Sequence, residues 1–419
     1  MRYTLFYIVL GALYFYSSCL DYDSLLLKNT IDAGPRVLIR EKPDTPTLVK
    51  YMDVEPSTSN HTLPTFRVNT SRTGFHNTSD VQTKPKYLWG GKLNGNPPHS
   101  ILFHNEKMYV TGKNGFSVYK YPSRIEHWSY STTKSLSTPS LTRNSILFSN
   151  SWGELISFGL QSERENWRYK GKAPGIGAPV ANHLNAFYTT YSKDRVSDFA
   201  YPYLDSLTLL SNRLTDGRLD WKVSISGSLS SSLCLTSNLI FLVVRNSHNG
   251  EGDLYSIQIS SGAIVWKRHL KKIQFGFLSF SEGTLYLTTD ETISAIKSET
   301  GELLWSLNIP NSSRSRTALV LDKLIYVSNK YLSVVDLKTR EKLWTNRNFE
   351  VCGSPIVGKK QIYVNSCSGD ILSFSLGTGK LLWSVQNIFP SDFYMSSCLS
   401  IISGEIFVST QPNIFDVLR

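Results

Sequence analysis

Few residues of this chain stand at spacings that support catalysis. The eight histidines include no pair with the separation of a tetrahedral zinc site. No serine sits in a Gly-x-Ser-x-Gly elbow, the strained turn that exposes a nucleophile. Gly377-Thr378-Gly379-Lys380 has the composition of a phosphate loop but not its spacing, and reads as a hairpin turn. Asn246, Asn249, Glu251 and Asp253 offer the oxygen ligands that calcium favours, yet their spacing matches no EF-hand. The expectation is no catalytic residue, no cofactor and no metal. Binding chemistry is better represented. Tyr191, Asp194, Arg195, Tyr201 and Tyr203 fall in one stretch, and Arg245 and His248 in another. Tyrosine with arginine is a common interface composition, so these residues are the candidate partner-binding set.

A repeat must position them. Gly301-Glu302-Leu303-Leu304-Trp305 recurs as Gly379-Lys380-Leu381-Leu382-Trp383, Gly262-Ala263-Ile264-Val265-Trp266 and Gly217-Arg218-Leu219-Asp220-Trp221. Trp89, Trp128, Trp167 and Trp344 end similar stretches without the glycine. From Trp89 the steps between these tryptophans are 39, 39, 54, 45, 39, 39 and 39 residues, and only Trp152 stands outside the frame. A step returning five times with strand-like content indicates a β-propeller. Each unit reads as four short strands. In the unit ending at Trp344 these are Thr317 to Leu321, Leu324 to Val327, Leu332 to Val335 and Lys342 to Trp344. The eight tryptophans predict one large ring per blade, wedged against the next blade.

Seven units are complete. The tail after Trp383 holds three more strand-like runs but no closing tryptophan, whereas Lys86-Tyr87-Leu88-Trp89 has the closing strand and no partners. The two ends are therefore expected to share an eighth blade, giving an all-β, eight-bladed ring without open edges. The third and fourth units are longer than 39 by 15 and 6 residues. Strand alignment puts both excesses between second and third strands, which is where the tyrosine and arginine stretches fall. Cys352 and Cys367 come to the same end of one blade and predict a disulfide, while Cys234 and Cys398 fall half a ring apart.

The chain of 419 residues is 41% hydrophobic, enough for one large core. Its net charge of +11 comes from scattered lysines and arginines, which gives nucleic acid little support. Solubility accounts for such a charge, as does contact with an anionic surface such as lipid headgroups. Arg2 precedes an apolar run from Leu5 to Tyr16 that is too short to cross a bilayer. Ser17-Ser18-Cys19 follows, and the whole resembles a bacterial lipoprotein signal, with Tyr16 where an aliphatic residue is usual. That resemblance implies lipidation of Cys19; an ordinary secretory signal is the alternative. The expected organisation is a signal peptide over 1–18, an anchored tether over 19–64 and a propeller over 65–419.

Residues 295–305, Ala-Ile-Lys-Ser-Glu-Thr-Gly-Glu-Leu-Leu-Trp, resemble the tryptophan-docking motif of quinoprotein-like propellers. Phe66 to Gly74 is similar to the segment that often precedes their first blade. The resemblance covers roughly residues 65–419 and implies fold more than activity. One branch of the family holds pyrroloquinoline quinone dehydrogenases, which implies a calcium-bound quinone, a catalytic aspartate and a disulfide between adjacent cysteines. No adjacent cysteine pair is present here. The other branch is the non-catalytic propeller lipoprotein of the outer-membrane β-barrel assembly machinery. It implies a monomeric, lipid-anchored scaffold in the cell envelope of a bacterium, with protein partners. The expectation is that second branch, with a quinone-dependent oxidoreductase and a secreted ligand sensor as alternatives.

Overall fold

The computed structural model describes residues 74–92, 98–112, 114–171, 177–192, 206–246, 250–309, 315–386, 399–411 and 414–419, with 69, 71 and 388. Its strands form eight antiparallel sheets, the blades of a closed propeller, and no helix occurs among the described residues. Blades 1 to 7 span residues 98–131, 140–170, 180–226, 228–270, 277–308, 318–346 and 356–385. Blade 8 is built from both ends of the chain. Tyr87–Lys92 pairs with Ile414–Leu418, which pairs with Glu405–Gln411 and then Leu399–Ile402. The shared blade and the four-stranded units are as the sequence predicts. Blade 4 departs slightly, since its innermost position is split into Ser228–Leu229 and Cys234–Leu235, both pairing with the second strand.

Burial follows strand position. In blade 2 the middle strands Ser145–Ser149 and Glu154–Gly159 are buried throughout, because each is covered on both faces by neighbouring blades. The outer strand of blade 5, Leu303–Asn308, alternates between exposed and half-buried. The first strands of successive blades approach one another around the axis.

The core is divided by seams. Eight apolar clusters each join two adjacent blades, and each holds one of the eight framework tryptophans. Only Trp383 is fully buried; the other seven are half-buried. The reason is geometric. The ring is carried on the outermost strand, so its inner edge enters the seam while its outer edge meets solvent at the rim. The third-strand residue facing it is small or short, as with Ser157 opposite Trp167 and Ser211 opposite Trp221.

The glycine before the fourth strand does more than close a hairpin. Gly262 has φ of 71°, and a Cβ there would lie 2.6 Å from the Trp221 ring of the preceding blade. Gly217, Gly301 and Gly379 stand in the same relation to Trp167, Trp266 and Trp344. Each of these four indoles also donates its Nε1–H to a carbonyl of the next blade, on Leu214, Ile259, Ser298 and Leu376, at 2.8 to 3.0 Å. Ring, glycine and carbonyl thus form one joint repeated around the disc.

Antiparallel order gives the disc two faces. The 1–2 and 3–4 turns lie on one, called here the turn face. The 2–3 loops and the connections between blades lie on the other, the loop face. A strap before blade 1 crosses the turn face. Ser71 bonds to Leu235 of blade 4 and Phe280 of blade 5. Gly74 and His76 pair with Val357 of blade 7, and the His76 ring meets the backbone of Ile401 in blade 8. Asp80 accepts hydrogen bonds from the Lys360 amide (2.8 Å) and the Tyr363 hydroxyl (3.2 Å). Trp383 donates to the carbonyl of Val81 at 3.0 Å. Blade 8 has no 3–4 turn of its own, because its fourth strand comes from the other end of the chain. Val81 supplies the carbonyl that a turn supplies elsewhere.

Candidate functional site

The long excess of blade 3 leaves from the loop face. Asn185–Ser192 and Ser206–Arg213 pair without a slip from Asn185↔Arg213 to Ser192↔Ser206, so residues 193–205 form the insertion. Tyr191 is half-buried at the end of the second strand, opposite Leu207. In blade 4 the ladder ends at Asn246↔Glu251, and Arg245 lies between Gly252 and Ser228. Tyr191 and Arg245 therefore occupy matching strand ends on adjacent blades. Asp194, Arg195, Tyr201, Tyr203 and His248 lie outside the described residues.

The base of the blade 4 loop is tied by charge. The buried Asp253 carboxylate accepts Lys267 Nζ at 2.9 Å, lies 3.4 Å from His269 Nδ1 and accepts the Asn246 amide. Burial pushes the Asp253 carboxyl up, but Lys267, Asn246 and His269 outweigh it and hold the group below the usual carboxylate range. Lys267 is raised in turn by its hydrogen bond to Asp253. This pairing answers the calcium reading of Asn246, Asn249, Glu251 and Asp253. The carboxylate a cation would need is neutralised by an ammonium group, and Asn249 lies outside the described residues. What the network does is hold the ends of the loop in place.

Sequence reasoning did not assign a role to the turn of blade 2, which lies on the same face. Trp152 is 57% exposed. The Asn150 side-chain oxygen accepts the amides of Trp152 (3.0 Å) and Glu154 (3.1 Å), and Gly153 accepts the Tyr188 hydroxyl of blade 3. Lys134 Nζ lies 4.3 Å from the Trp152 ring centroid and 2.8 Å from Glu154 Oε2. Arg168 completes the set at 3.0 Å from the same oxygen. Burial opposes ionisation of Glu154, but Lys134, Asn150 and Arg168 hold its carboxyl below the ordinary value. An indole presented rigidly to solvent beside cations suits an interface. The signal was present in the sequence, since Trp152 alone falls outside the 39-residue frame.

Cys352 and Cys367 form a disulfide that joins the connection before blade 7 to that blade's 2–3 turn. Cys234 is buried, with Sγ 3.6 Å from the Ser71 carbonyl. Cys19 and Cys398 lie outside the described residues. Hydroxyls near the axis are engaged between blades. Ser149 donates to Gly177, Ser230 to Gln274 and Ser315 to Gly353, each a carbonyl of the following unit. Among the described residues no three His, Cys, Asp or Glu side chains are grouped to hold a metal ion, and the disulfide is not between adjacent cysteines. The described residues do not fit a calcium-bound quinone.

A family model described as outer membrane protein assembly factor BamB matches residues 205–314 and 289–414, together half of the chain. The chain belongs to this family. The BamB-family fold is shared widely among solved structures. BamB from Moraxella catarrhalis superimposes with a TM-score of 0.61 at 13% identity, over 80% of this chain and 99% of its own. A europium-containing methanol dehydrogenase gives 0.69 at 9% identity, over 87% of this chain and 99% of its own. The quinohemoprotein alcohol dehydrogenase from Comamonas testosteroni gives 0.67 at 8% identity, over 87% and 81%. At such identities the likeness is one of fold. No curated protein matches the sequence of this BamB-family chain.

Proposed function

We propose that this chain is a non-catalytic scaffold of the cell envelope, anchored through Cys19, whose loop face binds a protein partner; assembly of outer-membrane proteins is the role its family points to. The observation that carries the reading is the family match, read together with two loop-bearing blades whose bases are braced rather than open. The candidate binding set is Tyr191, Asp194, Arg195, Tyr201, Tyr203, Arg245 and His248, to which the structure adds Trp152. Loops on a rigid framework carry recognition more often than the framework does.

The test is capture of crosslinked partners from solubilised envelopes by the full chain and by a variant lacking residues 192–203. The deletion removes only the last pair of the ladder, Ser192↔Ser206, and leaves the pairs from Asn185↔Arg213 to Tyr191↔Leu207, so the variant is expected to fold. Loss of a specific partner supports the reading, and unchanged capture by a folded variant ends it. Addition of pyrroloquinoline quinone and calcium is expected to give no dye reduction with alcohols. Cys19→Ser is expected to release the protein from membranes.

A further inference from the structure

The two faces of the disc differ in chemistry. Twelve large apolar side chains are exposed among the described residues, and all but Trp152 lie at the turn face, in 1–2 turns or on the first two residues of fourth strands. Leu321 is 80% exposed, Tyr87 66% and Ile125 65%. A leucine so exposed at a turn removes little area from water and adds little to folding. The exposed groups are spread around the ring, and Leu321, Leu343, Leu382, Tyr87 and Leu88 carry the series across the adjacent blades 6 to 8, where such groups suit contact with an apolar phase.

Cations gather on one sector of the same face, that of blades 6 to 8. Lys359, Lys360 and Lys380 of blade 7, Arg340 of blade 6, and Lys84 and Lys86 of the strap are all exposed. The acids among these turns compensate only in part. Asp322 pairs with Lys338 at 2.7 Å, and Asp336 accepts the backbone amides of Lys338 and Thr339. Glu341 is the remaining exposed carboxylate of those turns. The strap crosses this face from blades 4 and 5 to blades 7 and 8, and 68 residues precede Asn69, including the apolar run from Leu5 and Cys19. Cations beside projecting leucine and tyrosine are the composition of a surface that rests on anionic headgroups with its apolar tips in the interfacial layer.

We infer that the turn face of blades 6 to 8 lies against an anionic lipid surface. Its lysines sit over headgroup phosphates, and Leu321, Leu343, Leu382 and Tyr87 enter the interface. The disc then rests with its loop face, and the partner site, turned away from the membrane. This orientation builds on the envelope reading, but the lipid chemistry follows from the face itself.

Vesicle co-sedimentation of the full chain tests it, with phosphatidylcholine vesicles compared against vesicles containing about one-third phosphatidylglycerol. The apolar N-terminal run is common to all samples and contributes to both vesicle types. The face should contribute only to the anionic ones. Wild type is expected to prefer anionic vesicles, and the preference should fade as salt is raised to about 0.5 M. Replacing Lys359, Lys360 and Lys380 together by Gln should lower anionic-vesicle affinity roughly 100-fold, about fivefold per lysine. Lys271→Gln with Lys272→Gln, on the loop face, should leave it unchanged. Equal binding of wild type to both vesicles overturns the proposal, as does an equal loss from the loop-face pair. Capture of a soluble acidic protein by the turn face, with no vesicle preference, overturns it too. If the partner-capture experiment fails while the vesicle preference holds, the scaffold reading falls and the lipid face stands.

Discussion

At the scale of single residues, the position four before each framework tryptophan is the most constrained in the chain. It holds Arg124, Glu163, Gly217, Gly262, Gly301, Arg340 and Gly379 in blades 1 to 7, and every one has φ between 54° and 73°. The backbone therefore demands the left-handed region whatever residue is present, because the chain must turn sharply into the outer strand. A residue with a Cβ meets a cost of about 1 kcal/mol in that conformation. Where glycine is present, the indole of the preceding blade has moved in against it. Two substitutions of opposite sign follow. Gly262→Ala adds both the conformational cost and a clash with Trp221, and is expected to destabilise by about 2–3 kcal/mol. Arg340→Gly relieves the first term and is expected to stabilise by up to about 1 kcal/mol. Denaturant midpoints at constant slope measure both. A destabilised Arg340→Gly would mean that its side chain, not its backbone, governs the site.

At the scale of elements, the outcome depends on which strand is considered. The middle strands were legible because each is covered on both faces and reads as an unbroken apolar run, as in Leu324 to Val327. Outer strands were legible through their tryptophans. First strands were legible unevenly: Thr317 to Leu321 contains Ala318–Val320, whereas Ser140–Leu141 and Val180–Ala181 are only two residues long and leave no pattern to read. The strap was legible only at its start, through the resemblance of Phe66 to Gly74, and its course across the face was not. It occurs once, and side-chain and backbone capping hold it, so no period marks it. Trp152 broke the frame in plain view, but the sequence could not say that Lys134 and Glu154 would gather around it. The disulfide is an element-scale brace with a measurable share. It closes a loop with a separation of 15 residues, for which chain-entropy arguments give about 3 kcal/mol. Cys352→Ser is expected to lower stability by roughly that amount. Amide exchange should speed up most in the 2–3 turn of blade 7 and the connection before it, with the outer strand of that blade little changed. Uniform acceleration around the ring would show that the bond acts on the whole fold instead.

For the molecule as a whole, the question is how a linear repeat is kept closed. Blade 8 joins strands from opposite ends of the chain, so its fourth strand alone would have to resist opening. Two further ties share that task. Arg124 of blade 1 bonds Glu405 of blade 8 at 2.9 Å, and the strap lies in the seam between blades 7 and 8. Asp80 is the strap's charged contact in that seam, and it comes so close to Gly358 that a Cβ there would lie 1.9 Å from its carboxylate. Burial raises the Asp80 carboxyl above its usual value of 3.8, against the hydrogen bonds from Lys360 and Tyr363. The sign of the consequence is fixed by linkage. A carboxyl that holds its proton more tightly in the folded state than in the unfolded chain favours folding at low pH. It loses that contribution as pH rises from the unfolded value through the raised folded one. Ionised Asp80 therefore weakens the closure at neutral pH relative to a neutral group of the same shape. Asp80→Asn keeps an oxygen for the Lys360 amide and carries no charge. Its stability relative to wild type is expected to rise as pH goes from below 4 toward neutrality, then to level off. Thermal or denaturant midpoints of both proteins across that range would show it. A difference that stays flat with pH would mean that Asp80 titrates alike in both states, and that the closing seam is wet enough to hold a charge without penalty.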